Sequence, residues 1–244
     1  MNGTIAPASS SNTQAARAPL KALIGGALAD VMAELGPQFE RASGIKLDMA
    51  FAPTPQLITW ATSDAPFDLA IAPIDMLRDS AIRAYFEDAP PTNIARVGYS
   101  VAIREGLPLP DLSTPEAFKT ALLAARSVTF LPDSAAGSYV LKAFDHLGIR
   151  DVMADKTIAQ KVPKDIARAV ATGDADLGIF LTHVLTGEGV QLAGPFPTDL
   201  QHELVFIAAV ARRAGNAASA HALIKFLQTD EAAKTIRACG MQTG

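Results

Sequence analysis

The sequence predicts an α/β fold of mainly parallel sheets flanked by helices, on three observations. Short apolar runs rich in β-formers recur, at residues 20–26, 67–72, 127–131 and 176–181. Between them, apolar residues repeat at helical spacing, as Leu28, Val31, Met32, Leu35 and Phe39 do, which is the stripe of a helix packed on one face. Strands that alternate with helices join in parallel, because a parallel pair needs a crossover of a dozen or more residues, usually a helix.

Residues 20–26 read as a strand running into a Gly25-Gly26 turn. In the helix that follows, Gly36-Pro37 is expected to bend or restart the run, since proline lacks the N–H donor and crowds the preceding turn, and Gly44 to end it. Ile45, Leu47, Met49 and Phe51 alternate with Lys46, Asp48 and Ala50 as in a strand with unlike faces, and Pro53-Thr54-Pro55 breaks it. Residues 67–72 form a third strand and 75–85 a short helix, giving three strand–helix units in succession.

Residues 96–104 read as one further strand, leaving through a loop at 105–110. Ser113 and Glu116 at capping-box spacing, with Pro115 in the first turn, announce a helix carrying Phe118, Leu122 and Leu123. The strand at 127–131 gives way to a loop of small, hydroxyl-bearing residues, 132–138, and then to a helix with Val140, Leu141, Phe144 and Leu147 apolar and Gly148 as its stop. After residues 156–162, Pro163 starts a helix with Ile166, Ala169 and Val170 inward, which turns at Thr172-Gly173-Asp174 into a buried strand at 176–181. Beyond 194–197, residues 203–211 return as a long strand. Two helices, 217–228 and 231–238, close the chain, the second after a Thr229-Asp230 cap.

At 244 residues the chain accommodates one large domain or two lobes of roughly 100 residues each, and periodicity leaves both open. A net charge of −4 with lysines and arginines scattered along the chain provides no basic stripe, which argues against a nucleic-acid partner. Cys239 is the only cysteine, so an internal disulfide and a cysteine-built metal site are excluded. The four histidines lack any His-x-x-x-His pair, Gly25-Gly26 lacks the third glycine of a dinucleotide fingerprint, and no phosphate-loop Gly-Lys-Ser/Thr or Gly-x-Ser-x-Gly elbow occurs. No metal or cofactor is expected. No run approaches the roughly 18 apolar residues of a membrane span. Residues 1–19 read as a flexible tail without the charged start, apolar core and cleavage site of a secretory signal; either the protein stays in the cytoplasm or a leader has been removed. Oligomeric state is not legible.

The loops that follow strands carry the functional reading: residues 25–27, 53–55, 133–138, 162–164 and 181–183. In open α/β sheets ligands sit outside the carboxyl ends of the strands, so these loops act together only in a crevice. Being small, polar and nearly uncharged, they suit binding through backbone N–H and hydroxyl groups. The free N–H groups of a helix's first turn and the positive end of its dipole make an anion site. Ser134, Gly137 and Ser138 are therefore read as lining a site for a small oxyanion or carboxylate. The alternative is that Asp133, Ser134 or Ser138 simply caps the helix.

The Tyr139 hydroxyl, on the first turn behind this loop, is a further ligand candidate, and Lys164 at a helix start can pair with an acidic ligand. His183, in a strand-following loop, is the candidate for any proton transfer, against a plain hydrogen-bonded or exposed loop histidine. His146, late in a helix, complements its dipole; His202 and His221 read as surface residues, and Trp60 and Tyr85 as packed against the sheet.

The order and spacing of several pieces carry a resemblance. They are residues 31–44, Phe67-Asp-Leu-Ala-Ile71, residues 113–119, Gly173-Asp-Ala-Asp-Leu-Gly178, residues 222–227 and Cys239-Gly-Met241. Over roughly 20–244 the chain resembles the molybdate-binding-protein-like branch of the extracellular solute-binding proteins. The resemblance implies a two-lobed, type 2 periplasmic-binding-protein fold with two crossovers, one lobe from 20–97 plus 203–244 and the other from 98–202, and a small anion in the cleft between them. It also implies a periplasmic location and an ABC permease as partner. In the branch's molybdate binders, hydroxyls and backbone N–H groups on the strand-following loops hold the anion; here Gly26 and Ala27 stand where a serine is usual, and Thr54 lies in the second loop. The branch is also similar to aconitate isomerase, which implies an alternative: isomerisation of an unsaturated polycarboxylate in the same cleft. No catalytic residue of that enzyme matches a position in this chain.

Overall fold

The apolar run after the N-terminal tail forms β1 (Leu20–Gly25) in the computed structural model, which describes residues 18–244. All but the last two residues of the expected tail lie outside the described residues. A 3-10 turn, Gly26–Leu28, leads into α1 (Ala29–Ser43), which buries Val31, Met32, Leu35 and Phe39. Pro37 lies inside α1 without ending it. Buried contacts on both sides of the proline hold the helix together, as tertiary packing of an apolar face outweighs local propensity. Gly44, at φ 70°, ends it with its N–H on Glu40 O.

After β2 (Leu47–Ala52), the Pro53-Thr54-Pro55 segment that stops the strand also opens α2 (Thr54–Ala61), proline being well placed in a first turn. β3 (Leu69–Pro73) is buried throughout. The helix expected at 75–85 is a 3-10 turn, Ile74–Leu77, followed by the short α3 (Ser80–Arg83), because Asp79 accepts from Ala81 N and starts a new turn.

The single strand expected at 96–104 divides at Gly98 into β4 (Thr92–Val97) and β5 (Tyr99–Arg104), which belong to different sheets. Both halves are extended and only Gly98 parts them, so periodicity cannot register the change. The chain continues through α4 (Pro115–Ala124), β6 (Val128–Phe130), α5 (Ala135–His146), α6 (Arg150–Lys156), β7 (Thr157–Ala159), α7 (Lys164–Thr172), β8 (Leu177–Leu181), a 3-10 turn Thr182–Val184 and β9 (Val190–Pro195). It closes with β10 (Leu204–Val210), α8 (Ala217–Leu227), α9 (Asp230–Ala238) and β11 (Gln242–Thr243). The cap of α4 is Thr114, whose Oγ1 accepts from Ala117 N, rather than Ser113, whose N–H is held by Asp111. α5 starts at Ala135, a full turn before the first residue read as helical, because Ser134 caps it.

Two sheets result, of six strands in the order β11-β4-β10-β3-β1-β2 and of five in the order β7-β6-β8-β5-β9. The strand–helix–strand parts pair in parallel, β1 with β2 and β3, and β6 with β7 and β8. The strands that receive the chain after it passes between sheets pair antiparallel: β5 with β8 and β9, β10 with β3 and β4. The chain thus passes from the six-stranded to the five-stranded sheet at Gly98 and returns between β9 and β10. A buried cluster runs continuously from Ile24, Leu35 and Phe39 to Phe130, Val140 and Ile179, and a second covers the other face of the six-stranded sheet around Leu57, Met76, Phe86 and Ile207. Trp60 packs against that second cluster, whereas Tyr85 is exposed rather than covered.

Candidate functional site

The carboxyl ends of β1, β2, β6 and β7 are each followed by a helix or 3-10 start, and these starts meet in one crevice between the lobes. Gly26 and Ala27 come from the first turn, Pro53 and Thr54 from α2, Ser134 to Ala136 from α5, and Pro163 from the entry to α7; Phe180 and Phe206 close the sides. The crevice holds a cavity of about 30 Å³, so the lobes stand closed, with space for one or two waters.

Its electrostatics come from the backbone. No charged side chain is among the residues lining it. The Gly26 turn, α2 and α7 all begin without a side-chain cap. The Gln56 and Asp165 N–H groups are taken up by Pro53 O and Val162 O, which leaves the Thr54 and Lys164 N–H groups as the first-turn donors without a backbone acceptor among the described residues, at the positive ends of the α2 and α7 dipoles. At α5 the Ser134 hydroxyl donates to Leu131 O and accepts from Gly137 N, both at 2.9 Å. This capping leaves the Ala135 and Ala136 N–H groups without intrahelical acceptors. Such an arrangement attracts a small anion by amide dipoles and a hydroxyl.

The structure brings Gly26, Ala27, Thr54 and Ser134 together in the crevice; Gly137, Ser138, Tyr139, Lys164 and His183 are not among the residues lining it. A Cβ on Gly137 would fall 1.7 Å from Leu131 O, so the glycine lets the first turn of α5 close against its own loop. Ser138 Oγ donates to Ala135 O at 2.7 Å. Lys164 is exposed at the head of α7. Tyr139 reaches across the lobes, donating its hydroxyl to Asp75 Oδ1 at 3.1 Å and accepting from Arg78 at 3.4 Å, while Arg78 pairs with Asp75 at 2.9 Å. Burial, and then the Asp75 charge, push its phenol above the usual tyrosine range.

His183 also spans the lobes: its Nε2 donates to Ala27 O at 2.8 Å, on the back of the crevice wall. Nδ1 is buried without a partner among the described residues. Desolvation holds the imidazole below its ordinary pKa, outweighing the Ala27 bond and the Asp30 charge, so the ring is neutral. His202 is not a plain surface residue: its ring stacks on Tyr139 with centroids 3.9 Å apart. His221 meets Glu87 at 3.3 Å on the surface.

Two features escaped the sequence reading. Asp75 and Arg78 follow the buried strand β3, and that position was the available signal for Asp75. Gln201 clamps the first crossing from the second: its Oε1 accepts from Tyr99 N at 2.8 Å and its Nε2 donates to Tyr99 O at 2.9 Å. Beside it, Thr182 Oγ1 donates to Gly98 O at 3.0 Å and accepts from Ser100 at 2.8 Å. No three His, Cys, Asp or Glu side chains gather as a metal set among the described residues, and none of their helices is long and apolar enough to cross a membrane.

Two mixed α/β lobes, joined by two crossings and facing each other across the helix starts, define a periplasmic-binding-protein fold. The chain belongs to the bacterial extracellular solute-binding protein family, whose family model matches residues 20–242. It is 28% identical over 231 residues to an aconitate isomerase from Pseudomonas sp., covering 91% of this chain and 87% of that protein. Among solved structures it is similar to the periplasmic molybdate-binding protein of Azotobacter vinelandii, with a TM-score of 0.75 and 16% identity over 92% of this chain and 99% of that one. It is likewise similar to the sulfate-binding protein SubI of Mycobacterium tuberculosis, with a TM-score of 0.72 and 14% identity over 92% and 86% of the two chains.

Proposed function

We propose that the protein is a receptor for a small anion, an organic carboxylate or an oxyanion, held between a lobe of residues 20–97 plus 203–244 and a lobe of residues 98–202. The observation that carries this reading is the convergence of four helix starts on a crevice whose lining has no charged side chain. In that setting an anion gains from every open N–H, while a cation would meet the positive ends of the dipoles. Gly26, Ala27, Thr54, Ala135 and Ala136 make the contacts, with Ser134 ordering the α5 turn. Gly137, Ser138, Tyr139 and His183 support the crevice from behind. The lobes hinge at the two crossings, and a small cavity in the closed arrangement makes parting of the lobes the route of entry. The family and the molybdate- and sulfate-binding neighbours support an extracytoplasmic receptor that passes its ligand to an ABC permease.

Thermal unfolding with molybdate, sulfate, phosphate, citrate and trans-aconitate tests this. A true ligand at about 100 times its dissociation constant adds about 2.7 kcal/mol. Stabilisation by at least one anion and by no cation or neutral sugar is expected; indifference to all of them would end the reading.

The aconitate isomerase relative favours a second reading, an isomerase using the same crevice. An allylic proton shift needs a titratable group beside the bound carboxylate. The lining supplies none, and His183 stands one backbone carbonyl away. Incubation with cis- or trans-aconitate, followed in the ultraviolet, separates the two: interconversion abolished by His183→Ala would replace the pure receptor with the enzyme.

A further inference from the structure

Outside the crevice, a second concavity of about 230 Å³ lies between one face of α5 and the segment that carries the chain back to β10, and shares no lining residue with the crevice. Tyr139, Lys142 and His146 form its α5 wall, at the three- and four-residue spacing that aligns side chains on a helix. Phe196, Leu200 and His202 face them. The floor is aromatic: Phe196 lies 5.6 Å from the Tyr99 ring and 4.9 Å from Phe118. Tyr99 is 1% exposed, and its hydroxyl has no hydrogen-bond partner among the described residues.

The charges are placed unevenly. Lys142 Nζ sits 4.6 Å from the Tyr139 ring centroid, and neither Lys142 nor His146 has an ion-pair partner among the described residues. Asp199 is the one carboxylate on the rim. A guest therefore meets the Lys142 ammonium and the His146 imidazole along α5, an apolar floor, and a single carboxylate opposite. The space is several times that of the crevice cavity and takes a small organic guest rather than a single water.

We propose that this cavity is a second binding site, for a small monocarboxylate with an apolar body, the carboxylate lying between Lys142 and His146 and the body on Phe196 and Leu200. Asp199 repels further negative charge, so the site prefers a monoanion to the polycarboxylates suited to a crevice of amide donors. It thus goes beyond the anion receptor proposed above and stands or falls separately.

The probe is 4-methylpentanoate, titrated into the full chain while the histidine ring protons are followed by nuclear magnetic resonance, assigned with single His→Gln variants. The expected result is a saturable shift of the His146 and His202 signals, with His183 and His221 unmoved. Lys142→Ala, at an exposed position that leaves the fold intact, should weaken binding about tenfold, and Lys142→Arg should retain it. Citrate should leave the His146 and His202 signals in place. Absence of a saturable shift, a shift confined to His183, or equal binding by Lys142→Ala would each overturn the assignment.

Discussion

Tyr139 and Asp75 fasten the two lobes together. The phenol on α5 donates to the carboxylate on the turn after β3 at 3.1 Å, and Arg78 pairs with that carboxylate at 2.9 Å. A side chain on the helix that opens the crevice is thereby fixed to the opposite lobe, which makes closure depend on groups that need not touch a ligand.

Tyr139→Phe removes that bond and leaves the ring stacked on His202. A hydrogen bond to a charged group contributes about 1.5–3 kcal/mol net of the exchange with water, and less where the pair is partly exposed. At this half-exposed site, about 1 kcal/mol and a roughly fivefold weaker crevice ligand are expected. Calorimetric titration reads the affinity and small-angle scattering the lobe separation. The variant should be more open without ligand and regain the closed dimension with it. Unchanged affinity and dimension would remove Tyr139 from closure.

His183 gives a pH dependence whose sign follows from its burial. Its folded pKa lies below the ordinary value of 6.5, so the unfolded chain binds the proton more readily and stability rises with pH. The contribution is complete above about 6.5 and is lost as pH falls from there toward the depressed folded value. His202, shifted down chiefly by burial, acts in the same direction. Melting temperatures of the parent and of His183→Gln between pH 7.5 and 5, a range of about one unit or more on each side of the histidine value, should converge as pH falls. Parallel curves would contradict a neutral buried imidazole.

Gly137→Ala is expected to be severely destabilising. Its Cβ would lie 1.7 Å from Leu131 O and 2.8 Å from Pro132 O, both backbone atoms, so the α5 turn or its loop must move. A loss of about 3 kcal/mol or more in chemical denaturation is expected. A loss below about 1 kcal/mol would mean that the loop is less constrained than the packing indicates.

Gln201→Ala cuts two hydrogen bonds to the Tyr99 backbone at the first crossing. Amide exchange at Tyr99 should accelerate well above its neighbours in β5, with a global cost of about 1–3 kcal/mol. Exchange unchanged at Tyr99 would show that the clamp does not restrain the hinge.

Much of this was legible in the chain. The stripe of α1, the buried runs of β3 and β8 and the small-residue loop before α5 are local signals, and periodicity reports them directly. What escaped depends on tertiary context. Gly98 separates two extended segments that different sheets accept. Thr114 is a cap that a one-residue shift in helix start conceals, and among the three residues offered as the cap of α5 only the fold selects Ser134. The bridges from Tyr139 to Asp75, 64 residues apart, and from His183 to Ala27, 156 residues apart, leave no trace in spacing. The crevice was visible as a set of strand-following loops, but which of their residues face inward depended on the turn each loop takes.

The most direct measurement follows the backbone amides of Ala27, Thr54, Ala135 and Ala136 by nuclear magnetic resonance as molybdate, sulfate, citrate or trans-aconitate is added. Anion capture by converging helix starts predicts that one of these anions moves all four signals together, to saturation at one common dissociation constant. Four amides that stay still with every anion, or that move with different midpoints, would contradict it.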